Sequence, residues 1–292
     1  MLEKFKYPYS TGCLTEKPIR SFFYIFIIII SDFFKIKFKY KNNFFNSKFI
    51  FNYKPYTQRG LGGRGQFILR EYYDRFFFIG HKILPKKFNF VDVGCSRGYF
   101  SLYLLGLQNF KGKGLCIDPL SNAIRDFQEI LSLNKKQTIS YVNGVISNQN
   151  KRKLPIFKVS KEGFYSIIKN VSFAEKKMTN NLNERFFVPS YTLDNLILKK
   201  KKITNIKFIK IDSEGAEYEI LSAAKKSIKK FKPIIYCEVT RKKKEIYNFL
   251  RKKNYILFTF DRRKLVEISL KKFANGEVLA IHKNDSYFSR TQ

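Results

Sequence analysis

The stretch that decides the fold runs Val91-Asp92-Val93-Gly94-Cys95-Ser96-Arg97-Gly98-Tyr99-Phe100. A short apolar run ends in an acid, two glycines follow four residues apart, and an apolar helical pattern begins at Tyr99. Glycine permits the backbone of a tight strand-to-helix turn, and the helix N-terminus beyond it faces a ligand with unpaired N–H groups. The spacing differs from the dinucleotide GxGxxG, and an ordinary glycine turn between strand and helix would satisfy it equally.

Outward from this turn the chain alternates short apolar runs with amphipathic ones. Residues 90–93, 115–118, 139–142, 206–211, 233–238 and 255–260 read as strands, and 99–107, 123–133, 217–226 and 243–253 as helices. That order predicts an α/β fold with a mainly parallel, doubly wound sheet, which binds ligands at the carboxyl ends of its strands. Residues 151–191, rich in Lys, Asn and Ser, break the rhythm and read as an insertion over the site mouth.

Acids collect at the predicted strand ends. Asp118 closes the second strand twenty residues after Gly98. A carboxylate there can accept hydrogen bonds from both ribose hydroxyls of a nucleoside cofactor, although a helix-capping aspartate would stand at the same place. Pro119 follows it, and Asn143-Gly144 follows the third strand. Lys210-Ile211-Asp212-Ser213-Glu214-Gly215-Ala216-Glu217 delivers one base and three acids from an apolar strand onto the start of a helix. Acids also complement the dipole of a first helical turn, but their density at one strand end points to a site.

Together these residues resemble the FkbM family of S-adenosylmethionine-dependent methyltransferases over roughly residues 88–282. Residues 91–101 are similar to its first motif, Asp118-Pro119 to its second-strand acid and proline, and Thr192-Leu193-Asp194 to its threonine-leucine-aspartate element. Residues 210–217 resemble its lysine-isoleucine-aspartate-x-glutamate-glycine-x-glutamate signature, and 233–238 with Asn254-Tyr255 its late strand, Asn254 standing for the usual glycine. Cys95-Ser96-Arg97 and Asp118 depart from the commoner residues without removing a group that cofactor binding needs. The resemblance implies a Rossmann-like class I methyltransferase: a seven-stranded sheet with helices on both faces and an antiparallel last strand, for which residues 278–282 are the candidate. It implies S-adenosyl-L-methionine as cofactor, held by Asp92, Gly94, Cys95, Gly98, Tyr99, Asp118, Pro119, Asn143 and Gly144.

The reaction it implies is methyl transfer to an acceptor oxygen, with Asp212 and Glu214 as candidate bases and Lys210 tuning them. Glu217, Glu238, Arg241, Arg262 and Arg263 form the expected substrate rim. Carboxylates suit magnesium, and Asp212, Glu214 and Glu238 could together hold a divalent ion, but nothing in the sequence fixes three ligands in one geometry, so no metal is expected. The acceptor is expected to bear a hydroxyl on a sugar, glycan or lipid-linked molecule, and basic clusters at 241–244 and 262–264 suggest an anionic one. The alternatives are an RNA methyltransferase and a non-catalytic binding protein of the same fold. No recognition module supports RNA, and retention of Gly94, Gly98 and Asp118 speaks against the binding protein.

Composition adds limits. The chain has 292 residues, 57 Lys and Arg against 23 Asp and Glu, and a net charge of +34. The charge is spread evenly, and abundant Lys, Ile, Asn and Phe with no Trp look like the drift of an A+T-rich genome, so the total selects no nucleic-acid partner. Four separated cysteines form no CxxC, and His81 and His282 are too few and too far apart for histidine chemistry.

Residues 1–57 differ in texture. Phe22 to Ile30 is an unbroken apolar run about half as long as a membrane span, with no small-residue cleavage site after it. From Phe34 to Lys41 aromatic or aliphatic residues alternate with lysines, and Phe49, Phe51 and Tyr53 repeat the alternation, which predicts a hairpin over the main domain. Peripheral contact with an anionic membrane surface is the other reading of the segment. The expected division is an extension over 1–57, a lead-in helix within 58–87, and the catalytic domain over 88–285. The expected location is cytoplasmic, with or without attachment to the inner face of the membrane.

Overall fold

The computed structural model describes residues 18–44, 47–53, 75–136, 138–158, 165–168, 185–261, 264–273, 276–286 and 288. In chain order its elements are α1 (Pro18–Phe33), β1 (Phe38–Phe44), β2 (Ser47–Tyr53), a 3-10 turn (Arg75–Phe78), α2 (Gly80–Ile83), β3 (Asn89–Val93), α3 (Tyr99–Gly106), β4 (Gly114–Asp118), α4 (Ser121–Leu133) and β5 (Ile139–Asn143). There follow β6 (Val145–Ile146), β7 (Lys151–Lys158), β8 (Tyr165–Ser166), β9 (Arg185–Tyr191), a π-helical segment (Asn195–Lys200), β10 (Ile206–Ile211), α5 (Glu217–Ser222) and α6 (Lys225–Phe231). The chain ends with β11 (Ile234–Val239), α7 (Lys243–Arg251), β12 (Tyr255–Asp261), β13 (Lys264–Glu267), a 3-10 turn (Leu270–Lys272) and β14 (Gly276–His282).

Eight strands form the central sheet in the order β13-β12-β14-β11-β10-β3-β4-β5. Pairing is parallel from β11 through β5, and β14 runs antiparallel between β11 and β12. The seven strands expected from the sequence are all in it. The eighth, β13, is an edge strand that folds back on β12, from Asp261↔Lys264 to Phe258↔Glu267. β3 and β10 lie side by side, with β4 and β5 progressing to one side and β11 to the other, so the winding reverses between them. A crevice opens outside the carboxyl ends of two strands at such a reversal.

Two apolar layers cover the sheet. One face carries Ile209, Ile211, Ile220, Ile228, Ile246 and Leu250, from β10 and the helices that follow it. The other is aromatic: Phe76, Phe77, Phe100, Tyr103, Phe208 and Tyr236 pack together, Phe100 stacking on Phe208 at 5.6 Å with 5° between the rings. This cluster anchors the 3-10 turn before α2 to the sheet, and so places Arg75 at the sheet's margin. The expected lead-in helix falls for the most part on residues outside the described ones, and its described end is this turn and α2.

The N-terminal extension folds as a helix followed by a hairpin. The apolar run lies inside α1, and β1 begins at Phe38 instead of Phe34. The reason is a helix stop: Phe34 N–H bonds to the Ile30 carbonyl and Ile36 N–H to the Ser31 carbonyl, both at 2.9 Å, around Lys35 at φ +56°. That left-handed residue closes the helix and consumes the first four residues of the alternation. The β1–β2 hairpin sits on α4. The Asn134 side chain accepts from Ile50 N–H at 2.7 Å and donates to its carbonyl at 2.8 Å, imitating a strand partner, while Asn52 Nδ2 donates to Glu129 at 2.6 Å. Phe49 and Phe51 are buried beneath it.

A single helix over 217–226 is expected, but the structure breaks it into α5 and α6. Asp194 causes the break. Its carboxylate accepts from Lys226 N–H at 2.9 Å, Ser227 N–H at 2.7 Å and Ser227 Oγ at 2.6 Å, capping α6 as a new helix. The Thr192-Leu193-Asp194 element therefore does structural work: Thr192 Oγ1 accepts from Asn195 N–H at 3.2 Å and Leu193 is fully buried.

Candidate active site

The crevice at the winding reversal is an open cleft of about 780 Å³, solvent mouth included. Val93, Gly94 and Ser96 form one side, Asp118, Pro119 and Leu120 the next, Gly144 to Ile146 a third, and Asp212, Ser213, Glu214, Ala216 and Ile220 the far end. β7 and β8, with the residues after them, add Ile156, Tyr165, Ser166 and Ile167. With β6 and β9 they make a second sheet, ordered β6-β9-β7-β8, so the insertion closes over the cleft as a folded wall.

The glycines act by letting chain approach chain. A Cβ on Gly94 would lie 1.7 Å from the Asp212 carbonyl oxygen, and one on Gly98 would lie 2.2 Å from the Phe127 ring. Both take left-handed φ, +77° and +75°. Gly94 thus joins the ends of β3 and β10, where Asp212 N–H also bonds to the Val93 carbonyl at 3.0 Å. Gly98 brings α3 against α4. Of the two, Gly94 lines the cleft and Gly98 does not.

Asp118 lines the cleft and organises it. One carboxylate oxygen accepts from Ser96 N–H and the other from Leu120 N–H, both at 2.8 Å, tying the glycine turn to the end of β4. The residue is among the cleft's walls. Asn143 supports it from behind, donating to the Asp118 and Pro119 carbonyls at 3.2 and 3.0 Å.

Four other cofactor candidates stand back from the cleft surface. Asp92 is fully buried, accepts from Ser101 Oγ at 2.6 Å, and has no partner for Oδ1 among the described residues. Burial pushes its carboxyl up, with the Lys210 ammonium across the β3–β10 pair and the Ser101 hydroxyl working against the shift. Cys95 is buried, and burial pushes its thiol well up. Tyr99 packs against Phe77 at 5.6 Å. Gly98 and these three support the wall of the cleft and do not form it.

At the cleft's end Asp212 and Glu214 both face the cavity, and Lys210 lies behind them. Lys210 is buried, its ammonium 2.9 Å from Asp212 Oδ2 and 5.6 Å from the Phe100 ring centre. Glu214 sits at φ +52° in a turn followed by Gly215 at +98°. Glu217 holds that turn: Oε1 accepts from Gly215 N–H at 2.7 Å and Oε2 from Thr240 Oγ1 at 3.1 Å. It is fully buried, and burial pushes its carboxyl up. Glu217 therefore leaves the expected substrate rim, because both its oxygens are spent inside the protein.

Beside Asp212 the acids continue across the sheet. Glu238 follows Cys237, which pairs with Ile211, and stands opposite Glu277 on β14. Glu238 is open to solvent, yet its carboxyl is pushed up to about 8, first by the Asp212 charge, then by desolvation and by Glu214. Burial likewise raises Glu277, opposed by a hydrogen bond from Tyr236 and by the Arg75 charge. Arg241 turns inward, its guanidinium reaching the Gly215 carbonyl at 3.5 Å, while Arg262 and Arg263 lie outside the described residues. Sequence reasoning missed Glu277 and Arg75. Glu277 could have been found from the pairing of its strand with the one ending in Glu238, whereas nothing in the sequence marks Arg75. His81 and His282 take no part in the cleft.

Residues 92–257 match the methyltransferase FkbM domain, more than half of the chain. The chain belongs to the FkbM methyltransferase family. No curated protein matches its sequence. Among solved structures, a methyltransferase FkbM from Methylobacillus flagellatus is 16% identical, with a TM-score of 0.47 over 71% of this chain and 47% of that one. The chain thus spans about half the length of that relative. TrmK of M. capricolum, solved with S-adenosyl-homocysteine, is 14% identical over 72% of this chain and 68% of its own, at a TM-score of 0.39. An rRNA methylase from Streptococcus thermophilus is 12% identical over 70% and 90%, at 0.38.

The cofactor of the FkbM family is S-adenosyl-L-methionine, and the donor set of the cleft fits it. Asp118 offers a carboxylate to a ribose diol. Ile117, Leu120, Val145 and Ile146 offer an apolar wall to an adenine ring, and the 94–96 turn and Ser213 offer polar groups to an amino-acid moiety.

Proposed function

We propose that the FkbM domain methylates a hydroxyl oxygen of a polyhydroxylated acceptor, a sugar or glycan unit either free or carried on a lipid. The observation that carries this reading is that Asp212 and Glu214 line the same cleft as Asp118 and the 94–96 turn. When bound, S-adenosylmethionine supplies a methyl group already activated on a sulfonium. The remaining tasks are to hold the acceptor oxygen in line and to take its proton.

Asp212 is suited to take that proton. Its Oδ2 pairs with the Lys210 ammonium at 2.9 Å, and the residue opens onto the cleft. Glu214, on the adjoining turn, can accept a hydrogen bond from the same hydroxyl or a neighbouring one. Positioning provides most of the rate, and a general base adds typically about 10²- to 10⁴-fold.

The chemistry of the rim favours many hydroxyls over a phosphate. Four carboxyl groups, Asp212, Glu214, Glu238 and Glu277, adjoin the end of the cleft, and carboxylates accept hydrogen bonds from hydroxyl donors while repelling anions. Glu238, near half-protonated at about pH 8, both donates and accepts over the neutral range. Any anionic portion of the acceptor would lie away from this end.

The test is transfer of isotope-labelled methyl from S-adenosylmethionine to a panel of neutral sugars, lipid-linked glycans and RNA, with the product's methyl position read by mass spectrometry. Label on a glycan oxygen supports the reading. Label on RNA replaces it with the RNA methyltransferase alternative, and binding of S-adenosylhomocysteine without transfer to any acceptor favours a binding protein.

A further inference from the structure

We infer that α1 is a docking surface for an anionic lipid bilayer. Ile19, Phe23, Phe26, Ile30 and Phe33 recur at helical spacing and share one face of α1. Ile19 is 86% exposed, Phe23 62%, Phe26 61% and Phe33 76%, and beyond the helix Phe34 and Ile36 continue the apolar strip at 64% and 47%. Phe33 and Phe34 meet edge to face at 4.9 Å, so the strip ends in an aromatic pair. Six large apolar residues projecting from one short segment exceed the scattered exposure normal for a protein surface.

Ser31, on another face of α1, is buried, the Phe34 and Ile36 bonds to Ile30 and Ser31 close the helix, and the next element is the hairpin joined to α4 by Asn134. No described helix is long and apolar enough to cross a membrane. At its length α1 reaches about 24 Å, short of the roughly 30 Å hydrocarbon core, so it would lie along the interface.

Charge selects the occupant. Lys37, Lys39 and Lys41, exposed directly after the strip, alternate with Phe38 and Tyr40, which turn inward, Tyr40 stacking on Phe51 at 5.3 Å. A row of ammonium groups beside exposed aromatics complements a surface of anionic headgroups over acyl chains. A second copy of the chain fits less well. The 4-3-4-3 spacing of the strip would suit a short helical seam, but a partner of net charge +34 brings lysines to lysines. Held this way, the chain would present the hairpin side of the domain to a membrane that could also carry a lipid-linked acceptor. The docking does not depend on the identity of that acceptor.

The experiment is co-sedimentation of the full chain with vesicles of phosphatidylcholine alone and of phosphatidylcholine mixed with phosphatidylglycerol, at low and high salt. Binding should require phosphatidylglycerol and weaken with salt. Phe26→Ser with Phe33→Ser should weaken it at least about tenfold, and Lys37→Gln, Lys39→Gln and Lys41→Gln together by roughly 100-fold, at about fivefold per lysine. Affinity for S-adenosylhomocysteine should be unchanged in both variants, which reports an intact domain independently of any acceptor. Absence of binding to the mixed vesicles overturns the inference. So does self-association in sedimentation velocity that Phe26→Ser with Phe33→Ser abolishes, which would assign the strip to a second copy.

Discussion

Replacing Asp118 by asparagine separates the two jobs its carboxylate is placed to do. Each oxygen accepts one backbone N–H at 2.8 Å, from Ser96 and from Leu120. Asparagine keeps one carbonyl oxygen and sets an amide against the other N–H, leaving that donor unpaired at a cost of about 1–3 kcal/mol in stability. The same exchange removes the charged acceptor from a bound ribose, worth about 1.5–3 kcal/mol, or roughly ten- to hundredfold in cofactor affinity. A loosened glycine turn would also weaken binding, so the affinity loss alone does not place the ribose. A cycle does. S-adenosylhomocysteine and its 2′-deoxy analogue are titrated by calorimetry into the unmodified protein and into Asp118→Asn. If the carboxylate holds the ribose, the deoxy penalty is large in the former and nearly vanishes in the latter. An equal penalty in both proteins would refute the contact and leave Asp118 as the tie between β4 and the turn.

Asp212→Asn and Glu214→Gln should lower turnover by about 10²-fold or more while leaving S-adenosylhomocysteine affinity within severalfold; steady-state rates on the true acceptor beside calorimetry check this. Glu238→Gln should stabilise the fold increasingly as pH rises from 4.5 toward 8. In the folded state the carboxyl is raised from 4.5 to about 8, so stability is full below the lower value and declines as only the unfolded chain ionises. Solvent screening at this open site limits the gain to roughly 1 kcal/mol, and chemical denaturation at pH 5 and pH 8 measures it. Asp194→Ala should cost about 0.5–2 kcal/mol by uncapping α6, seen as a lower unfolding midpoint with unchanged cofactor affinity.

The alternation of strands and helices after residue 88 was legible because strands buried on both faces are largely apolar: Ile234–Val239 is interrupted only by Glu238, and Ile206–Ile211 keeps four apolar residues around Lys207 and Lys210. The strand-end acids were legible for a related reason: the chain changes abruptly from apolar to charged where β10 leaves the core. What each acid does was not legible. Asp212 and Glu217 are five residues apart in one signature, yet one opens on the cleft and the other is sealed under the turn between them, a difference set by the left-handed Glu214 and by Thr240 just past the end of β11. Asp118 and Asp92 divide likewise, although both lie at or near the carboxyl ends of their strands. Pleat alternation turns Asp92 inward to Ser101, whereas the terminal position of Asp118 lets it reach the glycine turn. The aromatic alternation at Phe34 misled because period-two patterning is blind to a helix stop, and the left-handed Lys35 carries no signal that distinguishes it from its lysine neighbours.

Net charge and local charge part company in this molecule. A chain at +34 reads from composition as a binder of anions, and its lysines are spread over nearly every exposed element. The end of the cleft is nevertheless acidic, because backbone geometry, and not composition, decides which side chains converge where parallel strands stop. β10 contributes Asp212 directly after its last strand residue, the following turn contributes Glu214, β11 contributes Glu238, and antiparallel β14 sets Glu277 opposite Glu238. Lys210 partly offsets them from beneath, and Arg75 from the sheet's margin. At an ionic strength where fields fade within about 8–10 Å, this local cluster acts on what enters the end of the cleft, while the diffuse lysine coat acts on what the whole molecule approaches. Under the two proposals, hydroxyl donors would be read by carboxylates at the strand ends, and an anionic surface by lysines on and just before the hairpin.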